Sequence, residues 1–326
     1  MVGFSVLDLA PVPEGGTPAD ALHNALDLAR HVERLGYTRY WVAEHHNMAG
    51  IASAATAVVI GYIAAGTTTI RVGAGGIMLP NHVPLIIAEQ FGTLESLYPG
   101  RIDLGLGRAP GTDRQTLAAL RRDPAAADTF PQDVVELQNL LGPLRPGQTV
   151  QAVPGTNTNV PIWILGSSLF GAQLAAMLGL PYAFASHFAP DALFQAIDIY
   201  RAKFAPCADR AKPHAMAGVN VIVADTDAEA QRLNTSLQMR FADMFRNARG
   251  TLKPPIGDIE DYWTPVEKMQ ASRMLACSFV GSPATVSAGL QTFVESTGAD
   301  ELMIASAIYD HAARLRSYEL LADIKI

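Results

Sequence analysis

Short apolar runs that alternate with helical patterns, each run closing on turn residues, constrain this chain more than any other feature. Residues 4–9 read as a strand that ends in Pro11, Pro13 and Gly15-Gly16. Thr17-Pro18-Ala19-Asp20 then reads as an N-cap with proline at the first helical position. Leu22, Leu26, Ala29, Val32 and Leu35 recur at helical spacing until Gly36 stops the helix. The spacing predicts a second strand over 40–43, a helix over 53–65, a third strand over 70–78, a helix over 85–97 ended by Pro99-Gly100, and a fourth strand from 101. Strand-then-helix units in this number predict a parallel α/β protein.

The second half repeats the pattern less regularly: helix 131–141, a long connection over 142–161, strand 162–165, helix 169–178, strand 182–186, helix 190–204, strand 219–224 and helix 227–248. A last unit reads in reversed order, with a helix over 282–296 before an eighth strand over 301–305. Eight strands separated by helices fit a closed (β/α)8 TIM barrel with insertions better than an open sheet. Residues 1–326 are expected to form one domain, since such barrels reach this length as a single unit. Residues 249–274 break the repeat with Pro254-Pro255, Gly257, the acidic Asp258, Glu260 and Asp261, and Tyr262-Trp263. An insertion of this kind before the last unit is expected to act as a lid over the site. The alternative is a solvated excursion that packs another subunit.

Composition narrows the partners. Hydrophobic residues make up 49% of the chain and charged residues 17%, which supplies a large core and argues against disorder. A net charge of −7 argues against a nucleic-acid partner, which would demand a basic face. No apolar run is long enough to span a membrane. The start, MVGFSVLDLAPVPEGG, reads as a first strand and not a signal peptide. Cys207 and Cys277 are too few for a disulfide framework and lack metal spacing, which fits a cytoplasmic location.

In a parallel barrel the site forms at the carboxyl ends of the strands. Those positions hold Asp8, Glu44-His45-His46, Gly75-Gly76, Gly107-Arg108, Gly166-Ser167-Ser168 and His187. In RIDLGLGRAPGTD, residues 101–113, a strand opens into a Gly-rich loop that carries Arg108, a fork suited to phosphate. Gly166-Ser167-Ser168 leads into a helix whose start favours an anion. Together they suit one phosphate, as in FMN, better than a dinucleotide, because no Rossmann-type glycine fingerprint follows the first strand. Gly75-Gly76 inside a strand hints at a bulge or a flat ligand against bare backbone; close packing is the plain alternative. Neighbouring residues on an extended segment point to opposite faces, so at most one of His45 and His46 faces the pocket squarely. One catalytic or hydrogen-bonding histidine is therefore more natural than a two-histidine metal site, and no metal is expected. His82 and His187 are weaker candidates.

VAEHHNMAG at 42–50, VGAGGIMLPNHVP at 72–84, RIDLGLGRAPGTD at 101–113, LGSSLFGAQLAAMLGLP at 165–181 and ADELMIASAIYDHAARLRSYELLAD at 299–323 stand in order along nearly the whole chain. In this combination the sequence resembles the bacterial luciferase-like, flavin-dependent monooxygenases, and most of all their single-subunit-type bacterial branch. The resemblance implies a (β/α)8 barrel that takes reduced FMN from a separate flavin reductase. It uses O2 to oxygenate a small apolar organic substrate, such as an aldehyde, through a flavin hydroperoxide. By the same resemblance Gly75-Gly76 is a non-prolyl cis peptide under the flavin ring. Arg108 and Ser168 bind the phosphate with Ser167, Gly171 and Ala172 in the same turn, and Asp113 lies near the flavin. His45 is the general base, flanked by Glu44 and His46. Phe4, Leu7, Met78, Phe188 and Trp263 are candidates for an apolar enclosure.

The chain departs from luciferase in having Gly107 for a reactive cysteine, Ser167 for a glutamate and Gly171 for a threonine. Phosphate binding then leans on backbone N–H groups, and light emission is not expected. A homodimer through the early helices is expected. Two rival readings are a deazaflavin-dependent dehydrogenase on the same fold and a non-catalytic flavin-binding protein. A histidine-based metal hydrolase is disfavoured, because the strand ends lack a spread of ligands.

Overall fold

A helix needs partners for its first N–H groups, and residues 17–20 provide them: Thr17 and Asp20 form a reciprocal capping box at the start of the helix Pro18–Arg34. That helix buries Ala21, Ala25, Leu28 and Val32 on one face and ends before Gly36, whose φ of +81° suits glycine. The computed structural model describes residues 2–109, 113–207, 210–248 and 250–326. Its strands are β1 (Gly3–Asp8), β2 (Arg39–Val42), β3 (Arg71–Met78), β4 (Ile102–Gly107), β5 (Ile162–Gly166), β6 (Tyr182–Phe184), β7 (Ala215–Val223), β8 (Ser278–Gly281) and β9 (Glu301–Ala305).

Pairing runs in chain order from β1 to β7, then to β9 and back to β1, so eight parallel strands close into a ring. This is the TIM barrel that the strand-helix repeat predicts. Three details differ from the sequence reading. The seventh strand begins at Ala215 and not at residue 219, because Ala215-Met216-Ala217-Gly218 lacks the β-branched residues that mark a strand. The first half of β7 pairs with β9, and its second half pairs with the unforeseen β8, which stands outside the ring. The last unit is not reversed: β9 is followed by its own helix, His311–Ala322.

Side chains alternate between the lumen and the helices. Ser5, Arg39, Arg71, Asp103, His214 and Glu301 point inward at the amino end. Asp103 is fully buried and pairs with Arg39 at 2.7 Å and Arg71 at 2.6 Å, while Glu301 takes Arg39 at 3.0 Å and His214 at 3.1 Å. Above this layer Leu7, Trp41, Trp163, Ala183, Met216 and Met303 fill the lumen, with Trp41 and Trp163 edge-on at 5.2 Å. Charges close the amino end and apolar rings the middle, so the carboxyl end is left for chemistry.

Candidate active site

Beyond β2 the chain leaves the barrel as Ala43-Glu44-His45-His46. Glu44 is 1% exposed, and donors from two rim segments converge on its carboxylate. These are the Met78 amide at 3.0 Å, Asn81 Nδ2 at 3.2 Å, His46 Nε2 at 2.8 Å and His82 Nε2 at 2.8 Å. Burial alone would raise this carboxyl. Hydrogen bonding and charge from His82, then the bonds from His46 and the Met78 amide, outweigh it and hold the group below its ordinary value. Glu44 is therefore an ionised clasp that fixes the rim after β2 to the rim after β3, and His46 is one of its donors.

His46 reaches back to Glu44, two residues away. His45, between them, lies near enough for its charge to oppose protonation of His187. His187 follows β6. Its ring packs over the bare backbone of Gly218, where a Cβ would lie 2.5 Å from Nδ1, and stands edge-on to Phe188 at 5.0 Å. The His187 carbonyl accepts from Asn220 Nδ2 at 2.6 Å. Enclosure first, and His45 second, push the His187 imidazole down to about 4. It is neutral at physiological pH.

The His187 shift has a measurable consequence. An unfolded imidazole takes up its proton near 6.5, so between that pH and 4 the unfolded chain binds the extra proton and the folded chain does not. Stability that is present above pH 6.5 should therefore fall as pH is lowered to 4, by on the order of 2–3 kcal/mol from this group. His187→Gln should flatten the urea-derived stability profile over that window by this amount. Parallel profiles for both proteins would contradict the assignment.

Gly75-Gly76 is a cis peptide and sits where the β3–β4 register shifts, between Ala74 and Ile77. The Gly76 carbonyl, which belongs to the next peptide, accepts from the Glu44 amide at 3.3 Å and ties this segment to the carboxylate clasp. A Cβ on Gly75 would lie 2.8 Å from Leu7 Cδ1, and one on Gly76 would lie 2.6 Å from the Gly105 carbonyl oxygen. At Gly76 the clash is with main chain, so packing alone requires glycine there.

Arg108 and Ser168 leave adjacent strand ends, since Gly107 of β4 pairs with Leu165 of β5. The Arg108 guanidinium lies 4.3 Å over the ring of Phe170, in the first turn of the helix Leu169–Leu178. Ser168 is the N-cap of that helix, and its side chain makes no capping bond. Gly166 and Ser167 complete the turn, and Gly171 is buried one turn in, where a Cβ would meet the Tyr182 ring at 3.3 Å. Asp113 caps the short helix Arg114–Ala119 and accepts from Asn47 Nδ2 at 3.2 Å, joining the loops after β2 and β4. Residues 110–112, the centre of the Gly-rich loop, lie outside the described residues.

Of the apolar residues proposed as an enclosure, Leu7 faces the lumen and Phe188 flanks His187, while Met78 Sδ lies 3.0 Å from where a Gly107 Cβ would be. Phe4 does not belong there. It points outward and packs on Tyr37 at 6.2 Å, because Ser5 and Leu7 take the inward positions of β1. The insertion docks on the carboxyl rim: Leu252 exchanges backbone hydrogen bonds with Val12 and Glu14, and Gly250 presses on Gly50. Trp263 is buried against Ala242 and Ala271. Sequence reasoning ranked His82 low and passed over Asn81 and Asn220. The signal for His82 and Asn81 is their place just after β3, opposite an acidic residue just after β2.

The luciferase-like monooxygenase family profile matches residues 2–301. A luciferase-like monooxygenase of Escherichia coli (strain K12) is 54% identical over 325 residues, covering 99% of this chain and 97% of that protein. The crystal structure of apo-MsnO8 superposes with a TM-score of 0.93 at 40% identity, covering 99% of this chain and 98% of that one. The oxygenating constituent of 3,6-diketocamphane monooxygenase from Pseudomonas putida, solved in complex with FMN, shares the fold at a TM-score of 0.72 and 18% identity, over 99% of this chain and 97% of that one. With its closed barrel and a match along nearly its whole length, the chain belongs to the luciferase-like monooxygenase family of flavin-dependent enzymes.

Proposed function

We propose that the chain acts as one domain over residues 1–326, binds reduced FMN and oxygenates a small, largely apolar organic molecule such as an aldehyde with O2. One observation carries the choice of a singly phosphorylated flavin. The Arg108 cation stacks on the first turn of the helix Leu169–Leu178, beside a Ser168 hydroxyl not used for capping. A cation, a hydroxyl and helix-start N–H groups with Gly166 and Ser167 would then hold one phosphate. Bound there, reduced FMN supplies the electrons that activate O2. The ring would rest on the Gly75-Gly76 backbone, and the Leu7 and Trp41 layer beneath excludes water from that end. His45 holds and moves the proton at the reacting centre, because neighbouring His187 is neutral and His46 is held by Glu44.

Reduced FMN would come from a separate reductase, in the cytoplasm. No helix among the described residues is long and apolar enough to cross a membrane. Val58 and Tyr62 on the helix Thr56–Ala65, and Ile86 and Leu97 on the helix Pro84–Leu97, are 39–73% exposed. An apolar surface on two neighbouring helices supports a homodimer through them. Sedimentation at micromolar concentration should give twice the chain mass, and Ile86→Glu should halve it; a monomeric parent protein would refute this. The function is tested by titrating the protein with FMN, reduced FMN and a reduced deazaflavin. Tighter binding of reduced FMN, with O2 consumption coupled to aldehyde oxidation, is the expected result. Preference for the deazaflavin, with hydride transfer to a carbonyl, would replace the oxygenase by a dehydrogenase.

A further inference from the structure

The helix Asp227–Phe245, the insertion and β8 enclose a cleft of about 270 Å3 that the flavin reading does not use. Gln231, Asn234 and Gln238 line it at i, i+3 and i+7, and so from one helical face. Trp263, Ser272 and Ser278 line the opposite side, and no charged side chain is among the lining residues. Asn234 is 7% exposed and Trp263 9%. Among the described residues neither Asn234 Oδ1 nor Trp263 Nε1 has a hydrogen-bond partner. Buried polar groups are nearly always paired, so an unpaired atom on each of two residues that line one cleft points to a ligand there.

The cleft backs onto the barrel mouth. Ser278 Oγ accepts from Asn220 Nδ2 at 3.2 Å, and the same nitrogen donates to the His187 carbonyl at 2.6 Å. Asn220 lies on the inward face of β7, two residues beyond Gly218, on which the His187 ring rests. A molecule held in the cleft is one hydrogen-bonded layer from the histidine pair.

We infer that this cleft is a substrate subsite for an uncharged group that both donates and accepts hydrogen bonds, a hydroxyl or carboxamide. Trp263 Nε1–H donates to it and Asn234 Oδ1 accepts from it. A carboxylate or ammonium would find no opposite charge there, and a hydrocarbon would leave both polar atoms unpaired. The ligand class follows from the cleft alone; its role as part of the substrate's site rests on the oxygenase reading. The substrate would then have an apolar body with a neutral polar handle.

The test follows the indole N–H resonances of flavin-free protein, in which Trp41 and Trp163 report on the lumen and Trp263 on the cleft, with Trp263→Phe assigning the last. N-methylacetamide should shift the Trp263 resonance saturably, and equimolar acetate should not. Asn234→Leu should weaken the response at least five-fold. If that variant disturbs the Trp41 and Trp163 signals, Gln238→Leu is read in its place. FMN affinity, measured separately, should be the same in parent and variant, so failure of the cleft and failure of the flavin reading are distinguishable. No saturable shift, an equal shift with acetate, or an undiminished shift in the variant overturns the inference.

Discussion

Replacing His45 by alanine should lower the rate of product formation by roughly 100- to 10,000-fold, the range expected when a positioned general acid-base group is removed. The neighbouring groups cannot take over. His187 is held neutral down to about pH 4, and His46 donates to a buried carboxylate that also takes His82. Binding of FMN should be retained, because the proposed phosphate grip at Arg108 and Ser168 lies on different strand ends. Single-turnover mixing of the reduced, flavin-loaded protein with O2 and aldehyde measures this directly. A loss smaller than about three-fold would assign the proton transfer to another group.

A loss of similar size, in stability and not in rate, is expected for Arg314→Met. Arg314 is 4% exposed on the helix His311–Ala322, and its Nη2 lies 2.8 Å from the fully buried Asp8 Oδ1 at the carboxyl end of β1. Its Nε donates to the Ser306 carbonyl at 3.0 Å, and Asp8 also accepts from the Tyr40 hydroxyl and from the Ala10 amide at 2.9 Å. Removing the cation leaves a carboxylate buried without its counter-charge, which costs about 3–5 kcal/mol. Urea unfolding should show this loss, and Asp8→Asn in the same chain should restore much of it, because the stranded charge is then gone. A change below about 1 kcal/mol would mean that water reaches Asp8. This pair fastens the last helix of the barrel to its first strand. It could not be read from sequence, since its members stand 306 residues apart.

What sequence could show follows from locality. The helix Leu169–Leu178 was legible to the residue, because a Gly-Ser-Ser turn opens it and Gly179, in the left-handed region at φ +65°, closes it. The closing strand pair was not. β8 has four residues, and β7 opens with Ala and Gly, so neither carries the β-branched signature that periodicity detects. At the site, the strand-end rule named Glu44, His45, Arg108, Ser168 and His187 without coordinates. It did not foresee that Glu44 and His46 would bind each other, or that His187 would sit opposite His45. Gln231, Asn234 and Gln238 share one face of the helix that the sequence predicts over 227–248, with no site signal of their own. Only the folded insertion, arriving from Trp263 onward, turns that face into the wall of a cleft. The amino-end layer of Arg39, Asp103 and Glu301 was hidden for the same reason: each charge looks solvated until the ring closes around it.

The central claim is that one phosphate is held between Arg108 and the turn at Ser168. Comparing the affinities of FMN and riboflavin for the parent protein and for Arg108→Ala tests it most directly. Charge-assisted bonds to a phosphate contribute about 1.5–3 kcal/mol, so the parent should bind FMN roughly 10- to 100-fold more tightly than riboflavin. The variant should lose most of that preference while its riboflavin affinity is unchanged. Equal affinity of the parent for both flavins, or a preference that survives loss of the guanidinium, would contradict the account.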